Sequence, residues 1–121
     1  RSATRRIVFS DGEDERVLRA SFAMLEETGD RPILIGRPEV VMHRIEKYGL
    51  PLKINEDFQL VNPESDPRFR EYWGTYHKIM QRRGVPPALA QAILRTNSTA
   101  IASVMVFRNE ADSMICGTFG Q

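Results

Sequence analysis

Lys78, Arg82 and Arg83 place three cations within about two helical turns, with Gly84 directly after them. Such a group at a helix C-terminus can meet an anion, for instance a nucleotide phosphate. The plainer reading is a solvated helix end matched to the negative pole of the dipole. Glu13, Asp14 and Glu15 could in principle hold a metal, but they precede an apolar helical stripe, where carboxylates simply stabilise the helix start. Their charge also makes that helix end a poor phosphate site, despite its bare N–H groups. Cys116 is the single cysteine, so no intrachain disulfide can form. It sits in an apolar run with no activating base nearby in sequence, where a thiol usually behaves as a small buried apolar group. His43 and His77 each fall inside a helical pattern and, with Cys116, form no recognisable metal spacing, so surface or boundary positions are expected. Tyr72, Trp73 and Tyr76 could stack on a base, although at this spacing they are expected in a core or between lobes. There is no Walker A lysine loop, HExxH or paired CxxC. Gly117-x-x-Gly120 is too short for a dinucleotide fingerprint and reads as a turn. Taken alone, the residues imply a lobe without a self-sufficient active site.

The elements that must carry these groups alternate between strand and helix. Arg6–Phe9 is a β-like run ending in the turn cluster Ser10-Asp11-Gly12. Ser10-x-x-Glu13 fits a capping box, with Asp11 as a competing cap, ahead of the stripe Val17, Leu18, Phe22 and Leu25. Gly29 supplies a left-handed stop. Pro32–Ile35 is a second strand closed by Gly36. Pro38 opens a second helix with Val41, Ile45 and Tyr48 on one face and Gly49 at its end. Phe58–Val61 is a third strand ending at Asn62-Pro63. Asp66 is the expected cap and Pro67 the first residue of a third helix, with Phe69, Tyr72, Trp73, Tyr76, Ile79 and Met80 as its apolar face and Gly84 as its stop. Val85-Pro86-Pro87 opens a short fourth helix through about Leu94. Asn97 or Ser98 caps a fifth, carrying Ile101, Val104, Met105 and Phe107, and Ser113–Cys116 is a fourth strand. This order implies an α/β fold, a mostly parallel sheet with helices on both faces. Ligands in such sheets bind beyond the carboxyl ends of the strands, so the loops to watch are Ser10–Gly12, Gly36-Arg37, Asn62–Glu64 and Gly117–Gln121.

With 41% hydrophobic and 27% charged residues and a net charge of +1, the 121-residue chain lacks the basic field expected of a nucleic-acid-binding surface. No apolar run approaches the ~20 residues needed to span a bilayer. The lone cysteine suits a reducing, cytoplasmic setting. The sequence opens on Arg1 and closes at a strand-to-loop junction, so both ends are expected to be cuts.

Read in order, RIVFSDGEDERVLRA (6–20), RPILIGRPEVV (31–41), VNPESDPRFREYWGTYHKIMQRRGV (61–85) and ADSMICGTFG (111–120) resemble the phosphotransacetylase family. They resemble more closely the version fused to the C-terminus of large bacterial NADP-dependent malic enzymes. EYWGTYH (71–77) and ADSMICGT (111–118) carry that distinction, with Cys116 standing where transacetylases usually have a serine. Met80 stands where transacetylases have an arginine implicated in holding coenzyme A, with Arg82 and Arg83 within a turn of it.

The resemblance implies that residues 1–121 form the N-terminal part of a phosphotransacetylase-like domain. This would be the first lobe of a two-lobed, isocitrate/isopropylmalate dehydrogenase-like module, whose principal catalytic residues come from later sequence. It implies a parent enzyme that oxidises malate with NADP and decarboxylates the product to pyruvate, using Mg or Mn, none of which this segment is expected to bind. The segment itself would be non-catalytic, sensing acetyl-CoA and assembling a homo-oligomer. Lys78, Arg82 and Arg83, with the Cys116-Gly117-Thr118 loop, are the candidate effector contacts. The rest of the same polypeptide is the expected partner, and faces meant for a second lobe are expected to be exposed. The alternative is a phosphate acetyltransferase moving an acetyl group between coenzyme A and phosphate.

Overall fold

The computed structural model describes residues 4–116. Four parallel strands, β1 (Arg6–Phe9), β2 (Arg31–Ile35), β3 (Gln59–Val61) and β4 (Ser113–Ile115), lie in the order β3-β2-β1-β4. Val8 pairs with Ile33 on one side and Met114 on the other, and Phe9 with Leu34 and Ile115. This register makes alternate side chains face opposite layers, as a pleated strand requires. Ile7, Phe9 and Leu34 join α1 (Glu15–Thr28) and α2 (Pro38–Lys47) in one core through Val17, Leu18, Val41 and Ile45. Val8, Ile33, Ile35 and Val61 join Tyr72, Leu94, Ile101, Val104 and Met105 in the other. That second layer is built by α3 (Phe69–Met80), α4 (Pro87–Thr96) and α5 (Ser98–Phe107), with a 3-10 turn at Gln81–Arg83 after α3. The expected parallel sheet covered on both faces is therefore present.

Helix α5 is apolar nearly all round because it is covered nearly all round, packing against β1 and β4 as well as α3 and α4. Its side-chain cap is Asn97, whose Oδ1 accepts from the N–H groups of Thr99 (3.0 Å) and Ala100 (3.2 Å). Phe107, grouped with the apolar residues of α5 from its sequence, instead lies 66% exposed on the last turn.

Two helix starts differ from the sequence reading. In α1 the cap is Asp14, whose carboxylate accepts from Arg16 N at 2.7 Å, and not Ser10 or Asp11. Residues 10–14 are instead drawn into the sheet's carboxyl rim. Ser10 N donates to Ile115 O (3.2 Å) and Gly12 N to Ile35 O (3.0 Å), which moves the helix start four residues along. In α3, Asp66 does bind the chain ahead of it, accepting from Arg68 N at 2.9 Å, but this closes a separate turn and the helix proper begins at Phe69. Gly29 and Gly84 end their helices at φ 73° and 75°, as their stop positions demand.

Arginine–aspartate pairs tie the opposite edge of the sheet. Arg5 donates to the fully buried Asp30 at the head of β2 (2.8 Å), and Arg6 to Asp112 before β4 (3.1 Å).

Candidate functional site

Lys78 and Arg82 line one pocket with Thr75, Ile79, Phe107 and Arg108, about 600 Å³ in volume. It is rimmed by cations and floored by exposed apolar surface, with Phe107 66% and Ile79 39% exposed. No carboxylate lines it. Such a site suits an anion that carries an apolar part. Arg83, in the 3-10 turn, is exposed and outside the pocket wall.

Cys116 lies elsewhere. Ser103 of α5 meets Met114 of β4 (Oγ–Sδ 3.6 Å), and the chain turns from Phe107 through Asp112 into Ser113, so α5 and β4 run antiparallel. Phe107 and Arg108 therefore adjoin the start of β4, whereas Cys116 follows its end. There the thiol is half-buried against the α3–α5 core, less enclosed than a buried strand cysteine. Gly117 and Thr118 lie outside the described residues. The candidate contacts thus fall into two places.

A polar cluster behind the cationic pocket holds Arg108. Its Nη2 donates to Glu71 Oε1 (2.5 Å), its Nε to Glu110 Oε2 (3.0 Å) and its Nη1 to Thr75 Oγ1 (3.2 Å). The other oxygen of Glu110 accepts from Arg68 Nη1 (3.3 Å) and from the Tyr72 hydroxyl. Arg68 is itself clamped by Asp66 (2.9 Å). Both guanidinium carbons lie near the Tyr72 ring, Arg68 at 5.6 Å and Arg108 at 5.5 Å from its centroid. Burial, reinforced by the hydrogen bond to Glu110, pushes the Tyr72 hydroxyl well above its ordinary pKa, so it remains a neutral donor. Arg108, Phe107 and Glu110 were missed as functional candidates. The only local signal was the polar run Arg108-Asn109-Glu110 directly after an apolar helix, where Asn109 takes a left-handed turn at φ 63°.

At the carboxyl rim, Ser10–Asp14, Gly36, Arg44 and Ser98 line a second pocket of about 320 Å³. Here Glu13 binds Arg37 through its backbone N–H (2.8 Å) and guanidinium (2.9 Å), bridging the loops after β1 and β2. The hydrogen bond from the Arg37 side chain is the main cause that holds the Glu13 carboxyl below its ordinary 4.5. Arg68 likewise lowers Asp66 from 3.8, and Arg16 lowers Asp14. Because these folded values are depressed, their stabilisation is present above the unfolded values and is lost as pH falls through the folded ones. We expect the urea midpoint to begin falling as the pH drops below about 4.5, the ordinary Glu13 value, with Glu13→Gln and Asp66→Asn flattening the decline. A midpoint insensitive to acid would refute that electrostatic account.

His43 is exposed and His77 half-buried, in keeping with surface and boundary positions. Tyr72 is a core residue, and Trp73 and Tyr76 pack against the same core. Among the described residues no three histidine, cysteine or carboxylate side chains gather to hold a metal, and no helix is long and apolar enough to cross a membrane.

A four-stranded parallel sheet layered by helices on both faces defines an α/β lobe, and its fold is that of phosphotransacetylases. A phosphotransacetylase from Streptococcus pyogenes superposes with a TM-score of 0.82 at 25% identity, over 98% of this chain and 34% of that one. A phosphotransacetylase from Staphylococcus aureus gives 0.77 at 27% identity, over 94% and 33%. Residues 1–121 match the family model for phosphate acetyl/butaryl transferase, and the chain belongs to that family. Within it, the chain is 52% identical to an NADP-dependent malic enzyme of Escherichia coli and 48% identical to an NAD-dependent malic enzyme of Rhizobium meliloti. Each match covers 99% of this chain and 16% of the relative, so the chain spans about a sixth of their length. A phosphate acetyltransferase of Nitratidesulfovibrio vulgaris is 31% identical over 93% of the chain.

Proposed function

We propose that this chain is part of the phosphotransacetylase-like module of a bacterial malic enzyme, a module that senses acetyl-CoA and assembles a cytoplasmic homo-oligomer. The observation carrying this reading is the gap between about 50% identity to the malic enzymes of Escherichia coli and Rhizobium meliloti named above and about 30% to the phosphate acetyltransferase of Nitratidesulfovibrio vulgaris, over nearly the same residues. The parent would oxidise malate with NADP and decarboxylate the product to pyruvate with the help of Mg or Mn. The described residues fit no divalent metal, so no step of that reaction is assigned to them. What this chain contributes is binding energy. An effector changes activity at a distance only by binding two conformations of the assembly unequally. The pocket of Lys78, Arg82, Ile79 and Phe107 supports this role, since it offers cations to phosphates and an apolar floor to the rest of the ligand. The Arg83 side chain and the loop from Cys116 through Gly117 and Thr118 remain further proposed contacts.

The test is malate-dependent NADPH formation by the longer protein that carries this chain, titrated with acetyl-CoA. We expect the half-effect concentration to rise about tenfold in a Lys78→Ala, Arg82→Ala double variant, the equivalent of losing one charge-assisted contact of about 1.4 kcal/mol. An unchanged titration would remove these residues from the effector site. Acetyl transfer from acetyl phosphate to coenzyme A without malate turnover would establish the transacetylase reading instead.

A further inference from the structure

We propose that copies of this chain associate head to tail, the outer face of α2 on one copy docking against the Lys78–Arg82 face of the next. The proposal rests on the homo-oligomer reading above and names the surfaces that carry it. The two faces lie on opposite sides of the sheet, since α2 packs in one core layer and α3 and α5 in the other. On α2, Glu39, Met42, His43 and Glu46 share one helical face, and all four are exposed. Met42 is 46% exposed, and among the described residues it is the large apolar side chain that the α1–α2 layer leaves open. Across the sheet, Ile79 and Phe107 are the exposed apolar residues beside Lys78 and Arg82. Isolated apolar side chains are ordinary on a surface. Here each patch is framed by charges of a single sign, and the two signs are opposite.

Neighbouring charges leave these signs uncancelled. From Tyr72 to Asn109 the sequence holds no Asp or Glu, and the flanking Glu71 and Glu110 are both paired with Arg108. The cations of α2 are turned elsewhere. Arg37, although within electrostatic reach of Glu39, binds the Glu13 carboxylate, Arg44 donates to the Glu13 carbonyl, and Lys47 lies over the Tyr48 ring. Among the described residues, Glu39, Glu46, Lys78 and Arg82 make no ion pair. Glu46 also stands in the last turn of α2, where the dipole disfavours an acid, a local conflict expected where a side chain serves a partner. Opposite charges around an apolar contact steer docking and fix its register. Because the patches sit on opposite faces of one copy, a two-fold pairing cannot join them. The contact is heterologous, and a closed assembly built on it is a ring. Lys78 and Arg82 then serve two anionic groups in turn, the effector and α2 of the neighbour, which links sensing to assembly.

Cross-linking of the longer protein that carries this chain, without acetyl-CoA, tests the contact. His43→Cys and Gln81→Cys place one thiol on each face, at exposed positions that keep the apolar and charged residues intact. A short bis-maleimide should join the double variant into a ladder of multimers on a denaturing gel, above the background of the unsubstituted protein. Each single variant should stay at that background. The two thiols of one copy cannot be joined to each other, because the sheet lies between them. Glu39→Lys with Glu46→Lys should weaken the ladder about tenfold, and adding Lys78→Glu with Arg82→Glu should restore it. That restoration excludes a folding defect as the cause. Glu26→Lys with Glu27→Lys, at exposed acids of α1, should change nothing. A ladder indifferent to charge reversal, or none from a protein that sediments as an oligomer, would overturn the proposal and leave the homo-oligomer reading intact. Cross-linking of either single variant as strong as that of the double variant would replace it with a two-fold contact. Sedimentation as a monomer would end both readings.

Discussion

Replacing Tyr72 by alanine should destabilise the fold by about 3–5 kcal/mol, the range for emptying a large aromatic site in a core. Tyr72 is 1% exposed and is among the largest fully buried side chains. It packs in the core shared by α3, α4, α5 and the sheet, so neighbours on three helices would have to collapse to fill the void. Its hydroxyl also donates to Glu110, which leaves Tyr72→Phe as the informative control. Glu110 would keep Arg68 and Arg108 as partners, so the phenylalanine variant should cost only about 1 kcal/mol. The two variants together separate packing from polar contact. Urea unfolding monitored by Trp73 fluorescence gives both values. A loss under about 1 kcal/mol for Tyr72→Ala would mean the ring does not bear on the core as described. Because Glu110 also anchors Arg108, the phenylalanine variant should in addition loosen that wall of the Lys78–Arg82 pocket.

Gly12→Ala should be the second costly change, by about 1–3 kcal/mol through overpacking. A Cβ at Gly12 would sit 2.7 Å from the Ile35 carbonyl oxygen and 2.8 Å from the Leu34 Cβ. Neither can swing aside, because one is backbone and the other is fixed to the backbone of β2. Relief would require parting the rim loop from β2 and stretching the Gly12 N–H bond to Ile35 O. The matched control is Gly74→Ala in α3, where a Cβ meets nothing within 4 Å. That variant should gain about 0.5–1 kcal/mol, since alanine loses less backbone freedom in a helix interior. The same substitution at two glycines is thus expected to act with opposite signs. Equal effects at both positions would contradict the close approach at Gly12.

The sequence by itself determined the order of elements and the class of sheet. Strand and helix periodicities, Pro38 at a helix start, and Gly29 and Gly84 at helix ends act within a few residues of themselves, so they are readable locally. Apolar strands between amphipathic helices then leave few layouts besides a parallel sheet covered on both faces. The cationic group Lys78, Arg82 and Arg83 was visible for the same reason. Which of its members share a pocket was not, because the opposite wall, Phe107 and Arg108, comes from another helix.

Tertiary structure alone decided the rest. Asp14 displaced Ser10 as a helix cap because Gly12 is pulled against β2, a contact between residues far apart in the chain. Glu13, legible only as a helix-start acid, is turned to Arg37, 24 positions away. Phe107 continues the apolar run of α5 yet faces outward, since periodicity marks a face but not what covers it. The Arg68–Tyr72–Glu110–Arg108 cluster follows the same logic. Local propensity sets where a helix runs, whereas the pairing of charges between helices depends on how those helices stack over the sheet.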